Sequence, residues 1–329
     1  MAKVVVIGTG SFGKNHVRVL NELGALSGAI DANEATAKKF ADLYRVPWSS
    51  DVRNFDFSGT DGVVISTPTT THFEIAKQTI TKGVGYLFIE KPVVPDVREA
   101  LELRDFADEH GARLMSGFIE RFNQGVTQVK SYLSEGRIGD PIIITASRIR
   151  QWPDRPIDLG VIKDTAIHDI DIVRHLSGEM PSSVYALAGS LTGRPREDHA
   201  TVMLNFSRHR AILEANWITP SKSRKLAVTG MAGYIEADLI TQEVTVKDDK
   251  GSFTKATQWK EPLLFELRHF LEAISTKSDP SPGCRDAVAN LAVAEAALVS
   301  NQTNRAVLLS EVFDRYEGYQ LDEYLGRQN

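Results

Sequence analysis

The chain of 329 residues has a single cysteine, Cys284, which excludes an intrachain disulfide and any multi-cysteine zinc centre. It has no apolar run near the ~18 residues that a membrane-spanning helix needs. The opening Met1-Ala2-Lys3 leads into Val4 to Gly8, an apolar stretch too short for a secretory signal, so a cytoplasmic protein is expected. Charge of one sign is also missing. Lys and Arg number 38 against 43 Asp and Glu, a net of −5, which gives no footprint for nucleic acid. No internal repeat or low-complexity tract interrupts the chain. At ~150 residues per domain the length suggests two domains.

The first 118 residues alternate short apolar runs with amphipathic ones. Lys3–Gly8, Leu26–Asp31, Gly62–Ser66, Tyr86–Glu90 and Arg113–Gly117 read as strands. Gly13–Leu23, Glu34–Tyr44, 72–82 and 96–110 read as helices. Continuous apolar strands alternating with helices predict a doubly wound parallel sheet covered on both faces. After Phe118 a helix at 122–135 precedes a strand at Pro141–Ile149, a polar loop and a helix at 164–177. Strand then follows strand at 183–191, 199–206, 210–218, 224–230, 233–238 and 242–248, before helices at 262–276 and 284–301. The polar alternation of Thr201 to Phe206 suits an antiparallel sheet with one covered face. The expected organisation is α/β throughout: 1–118 as the nucleotide-binding domain, 119–329 as a substrate and oligomerisation domain. The cleft between two such domains is the default ligand site.

Gly8-Thr9-Gly10-Ser11-Phe12-Gly13 is a GxGxxG turn between the first strand and the first helix. Its glycines allow a tight turn, close approach of a pyrophosphate, and close helix packing, while the helix start offers free N–H groups. Asp31 ends the second strand 18 residues after Gly13. A carboxylate there accepts from a ribose diol and repels a 2′-phosphate, and no arginine follows it directly, so NAD is expected over NADP. Thr67-Pro68-Thr69-Thr70-Thr71-His72 and Glu90-Lys91-Pro92 follow the next two apolar strands, at the carboxyl edge where open parallel sheets bind ligands. Lys91 stands where the nicotinamide end would reach. A helix cap with a nearby histidine explains the threonine run and His72 equally well.

In Asp164-Thr165-Ala166-Ile167-His168-Asp169-Ile170-Asp171 the isoleucines mark a buried side. Regular helical spacing places Asp164, His168 and Asp171 on another face. A histidine with a carboxylate one turn away is an acid–base unit, although Asp164 as a helix cap and His168 as a structural histidine are the plain alternatives. No metal is expected, because two acids and a histidine on a helix more often cap and solvate it.

Taken in order, GTGSFGKNH, Asp31, TPTTTH, EKP, GFIERFN and DTAIHDIDIVRHL resemble the Gfo/Idh/MocA family of NAD(P)-dependent sugar oxidoreductases over essentially the whole chain. The resemblance implies a Rossmann domain followed by an α/β domain whose open, mostly antiparallel sheet serves homodimer or homotetramer contacts. It implies Lys91, Asp164 and His168 as the catalytic set. It further implies cofactor contacts from Gly8, Gly10, Ser11, Phe12, Gly13, Asp31, Thr67, Pro68, His72, Glu90 and Lys91. One departure is Thr69, where many members carry asparagine. A narrower likeness, resting on GFIERFN, Asp158–Leu176 and NWITP, is to members of the UDP-N-acetylglucosamine 3-dehydrogenase type.

A diphosphate needs arginine or lysine donors. Arg148, Arg150 and Arg155 fall within eight residues beside Trp152, Arg121 leads into the second domain, and Lys222, Arg224 and Lys225 cluster after Trp217. The expectation is that Arg121, Asn123, Arg148, Arg150 and Trp152 join Asp164 and His168 in holding a nucleotide sugar, with the aromatic stacking on uracil. A solvated loop or a subunit contact accounts for the same residues. The competing functions are a free polyol or aldose dehydrogenase, and a non-enzymatic NAD-binding regulator.

Overall fold

A computed structural model describes residues 2–153, 157–255, 258–316, 319 and 324. The chain forms two units, Met1–Phe118 with Leu263–Val288, and Ile119–Pro262 with Ala289–Asn329. Leu263–Val288 therefore belongs with the first unit, a stretch that the sequence reading leaves with the second.

In the first unit the elements run β1 (Val4–Ile7), α1 (Gly13–Glu22), β2 (Leu26–Ile30), α2 (Glu34–Tyr44), β3 (Trp48–Ser49), β4 (Gly62–Ile65), α3 (His72–Thr81), β5 (Tyr86–Glu90), α4 (Val97–Glu109) and β6 (Arg113–Gly117). All six strands are parallel, in the order β3-β2-β1-β4-β5-β6. The order reverses between β1 and β4, the switch point at which such sheets bind ligands beyond their carboxyl ends. Val4 to Ile7 and Val63 to Ile65 are buried, as strands covered on both faces require. Each such side chain contributes about 1.5–3 kcal/mol on leaving water. Phe270, from the returning segment, packs its ring edge on Phe88 of β5, 5.8 Å between centroids.

The second unit begins with a short 3-10 turn, Ile119–Phe122, and α5 (Gln124–Ser134). Asn123 caps α5, its side-chain oxygen accepting from Gly125 N. Then come β7 (Pro141–Gln151), one π-helical turn (Ile162–Ala166) running into α6 (Ile167–Ser177), and β8 (Ser183–Gly189). β9 (His199–Asn205), β10 (Arg210–Asn216), β11 (Ile218–Gly230), β12 (Gly233–Asp238), β13 (Val244–Asp248) and β14 (Gly251–Lys255) follow. The chain closes with α7 (Pro262–Thr276) and α8 (Cys284–Thr303), which carry the returning segment, then β15 (Val307–Leu308) and α9 (Leu309–Phe313). The sheet order is β14-β13-β12-β11-β7-β10-β9-β8-β15, antiparallel except where β7 runs parallel to β10. Burial alternates along these strands, with Val202, Leu204, Leu213, Leu226 and Val228 on the covered face. The other face exposes a cross-strand row of Tyr185, Met203, Ile212 and Thr145. Among the described residues no helix is long and apolar enough to cross a membrane.

Candidate active site

The glycines after β1 are there for lack of space. Gly8 has φ +86°, and a Cβ on it would lie 2.6 Å from Ser66 O. A Cβ on Gly13 would lie 1.8 Å from Gly8 O, so α1 can start this close to the turn only with glycine. Gly10 differs, since its absent Cβ faces open space. Ser11 and Phe12 are exposed beside it. A cradle that is tight behind and open in front fits a dinucleotide pyrophosphate at the start of α1.

Asp31 is tied to this turn. Its Oδ2 accepts from Thr9 N at 2.7 Å and Thr9 Oγ1 at 3.0 Å, and its Oδ1 from Asn33 N at 2.9 Å. A carboxylate has about four lone-pair sites, so capacity is left for a ribose diol.

The loops after β4 and β5 are joined through His72. This ring is buried, its Nδ1 3.1 Å from both Pro92 O and Val93 O, its Nε2 2.8 Å from Thr67 O. Burial holds its pKa below that of an ordinary histidine, against the pull of those carbonyls. His72 thus positions Thr67 and the chain after Lys91, and its nitrogens are engaged by backbone. Thr67 and Lys91 are half-buried and Pro68 is exposed, with Thr71 Oγ1 donating to Thr67 Oγ1 at 2.8 Å. Glu90 is held too: Oε1 lies 2.7 Å from His16 Nε2, and Oε2 accepts from Lys91 N at 3.2 Å.

In the second unit, the segment carrying Asp164 and His168 is a widened π turn joined to α6, where the spacing predicts one regular helix. Such turns concentrate at functional sites. Val161 N donates to Glu197 O, and Trp217 Nε1 donates to Thr165 Oγ1 at 2.8 Å, which pins the turn from two sides. Asp164 is buried and His168 half-buried. Asp171 does not join them. Its oxygens accept from Arg121 at 2.8 and 2.6 Å and from Asn290 at 2.7 Å.

Residues 2–118 match the family model described as an oxidoreductase family with an NAD-binding Rossmann fold, and residues 126–236 match the GFO/IDH/MocA C-terminal domain. The chain belongs to the Gfo/Idh/MocA oxidoreductase family. It is 28% identical to inositol 2-dehydrogenase of Rhizobium meliloti, over 93% of this chain and 98% of the relative. It is 29% identical to UDP-N-acetylglucosamine 3-dehydrogenase of Acidithiobacillus ferrooxidans, over 89% and 94%. A solved structure of the latter superposes with a TM-score of 0.84 at 26% identity, covering 92% of this chain and 98% of that one. As a Gfo/Idh/MocA member the protein is an NAD-dependent dehydrogenase, and the cradle at Gly8–Gly13 with Asp31 is where its residues fit the cofactor.

Three residues expected to touch substrate are engaged by partners within this chain's own fold. Arg148 lies on β7, within the strand read at Pro141–Ile149, and that stretch pairs with β10 and β11. It is fully enclosed, donating to Asp169 through Nε and Nη2 and to Glu120 through Nη1. Burial opposes its charge, and the two carboxylates outweigh burial. Arg121 is spent on Asp171, and Asn123 on Glu120 and Leu239 O. Trp152 is half-buried, with the Arg194 guanidinium 3.7 Å over its ring and Trp217 edge-on at 5.0 Å, so one face is already covered. Arg150 remains half-buried and donates to Gln151 O. Arg155 lies outside the described residues. The sequence reading missed His16, Glu120 and Asp169. Charged residues at positions that periodicity assigns to a covered face were the available signal.

Proposed function

We propose that the protein oxidises a secondary hydroxyl of a nucleotide-linked sugar, of the UDP-N-acetylglucosamine kind and at its 3-position, with NAD as cofactor. His168 takes the hydroxyl proton on its ring nitrogen, Asp164 orients that ring, and Lys91 stabilises negative charge developing on the oxygen. When bound, NAD supplies the nicotinamide C4 that accepts the hydride. The observation carrying the choice of substrate is a surplus of cations where β7 and β11 meet, next to the helix that bears His168. A neutral polyol has no use for such a surplus, whereas a diphosphate needs it.

The relative acting on UDP-N-acetylglucosamine supports this reading, and the inositol 2-dehydrogenase of similar identity supports a free-polyol alternative. A substrate panel with end-point product analysis separates them. UDP-N-acetylglucosamine should be oxidised, and Lys91→Ala and His168→Ala should each lower turnover by about 10²–10⁴-fold with NAD still bound. Good oxidation of myo-inositol or glucose, with UDP-N-acetylglucosamine neither bound nor oxidised, would install the polyol reading instead. The apolar row on the uncovered sheet face supports self-association through that sheet, which a solution mass equal to one chain would contradict.

A further inference from the structure

The covered face of the second sheet ends in a block of four cations. Arg148 and Arg150 stand two residues apart on β7, continuing the row of buried Ile144 and Ala146. On β11, Lys222 and Arg224 continue the row of Leu226 and Val228. Side chains two residues apart on a regular strand share a face, which puts Arg148, Arg150 and Arg224 on one side of the sheet, and Lys222 stands close enough to feel the charges of Arg224, Arg150 and Glu120. The antiparallel register sets Arg224 directly opposite Arg148, and a register shift between Ile218 and Ser223 bulges the chain at Lys222. Like charges facing each other across two strands destabilise a sheet unless something compensates them.

The fold compensates half. Glu120 Oε1 accepts from both Arg148 Nη1 and Arg224 Nη1, each at 2.8 Å, and Asp169 is taken by Arg148. Burial alone would raise the Glu120 pKa, yet Arg148 and Arg224 hold it below the usual carboxylate value. Among the described residues, two carboxylates against four cations leave two positive charges uncompensated, in a chain whose net charge is −5. Among the described residues Lys222 makes no hydrogen bond or ion pair, and Arg150 donates only to its neighbour's carbonyl. The Arg224 side chain is 32% exposed. The charge of Arg224, then partial burial and Arg150, hold the Lys222 pKa below that of a free lysine. The block also lies close to the catalytic helix. Asp169 directly follows His168, and Arg148 links it to Glu120 and Arg224.

We propose that Arg150, Lys222 and Arg224 bind the diphosphate of the substrate, while Arg148 is their structural counterpart and touches no ligand. The assignment rests on the nucleotide-sugar reading above. Two guanidinium forks and one compact ammonium suit the spread charge of a diphosphate. Because a diphosphate is bonded directly to the sugar ring it activates, its site must lie within one sugar of the base, and the block is tied to α6 through the Arg148–Asp169 pair.

Calorimetric titration of the NAD-loaded protein with UDP, inorganic pyrophosphate and uridine tests it. UDP and pyrophosphate should bind, uridine should bind far more weakly, and added salt should weaken the first two. Lys222→Ala and Arg150→Ala should each weaken UDP by about tenfold or more, the scale of one charge-assisted hydrogen bond. Lys225→Ala should change nothing, since Lys225 stands on the opposite face and pairs with Asp238 at 2.8 Å. Arg224 is left intact because it also holds Glu120. If wild type binds UDP but both variants bind it equally well, this assignment is wrong and the nucleotide-sugar reading survives. Equal weakening by Lys225→Ala would reduce the effect to general surface charge and overturn it as well. If wild type binds neither UDP nor pyrophosphate and oxidises a free polyol, both fall.

Discussion

His16 Nε2 lies 2.7 Å from Glu90 Oε1, joining the helix that follows the glycine turn to the strand end that carries Lys91. His16 is fully buried, with the rings of Phe12 and Phe88 edge-on at 5.3 and 5.2 Å. The second Glu90 oxygen accepts from Lys91 N, so the pair sets the backbone from which Lys91 projects. With Lys91 in the catalytic role proposed for it, His16→Ala should lower kcat by about 10²-fold, the usual result of misplacing a catalytic group by ~1 Å, with a smaller change in KM. His16→Gln, whose amide nitrogen reaches the Nε2 position, should restore most of it. Equal kcat in wild type and His16→Ala would show that Glu90 holds Lys91 unaided.

The proposed role of Asp31 in cofactor choice, resting on its place beside Thr9, can be tested directly. Asp31→Ser combined with Ala32→Arg removes the carboxylate and adds a phosphate donor. The ratio of kcat/KM for NAD over NADP should fall by about 10- to 100-fold, the worth of one hydrogen bond to a charged group. Wild-type protein that already uses NADP as well as NAD would contradict the role given to Asp31.

Acid stability should report on Asp198. This buried carboxylate accepts from Leu191 N, Thr192 N, Thr192 Oγ1 and His199 Nδ1. Burial alone would raise its pKa, but those bonds, led by His199 and Thr192, hold it well below the ordinary value. A folded pKa below the unfolded ~3.9 means stabilisation that is complete above pH ~4 and lost as the pH falls through the folded value. Asp198→Asn should cost about 1–3 kcal/mol at pH 7 in urea unfolding, and the gap to wild type should close below pH 4. A gap that widens on acidification would reverse the assignment.

The resemblance read from GxGxxG, Asp31, EKP and DTAIHDIDIVRHL, and the doubly wound first sheet, were legible without coordinates. Their signals are local: apolar runs of strand length, glycines where a Cβ has no room, and an acid at a strand end. Steric exclusion at Gly8 and Gly13 acts over a few residues, so sequence carries it whole. The fate of the arginines was not legible, because it depends on what stands across from each one. Arg148 and Arg150 look alike along the chain, but Arg148 meets Asp169 and Glu120, 21 and 28 residues away, while among the described residues Arg150 meets only a neighbouring carbonyl. The return of Leu263–Val288 to the first unit and the π turn ahead of His168 were decided the same way, by packing against distant segments. Periodicity reports which face of an element is covered. Only the tertiary structure supplies the partner that makes a buried charge affordable, and so separates the cations that hold the fold from those it leaves unpaired among the described residues.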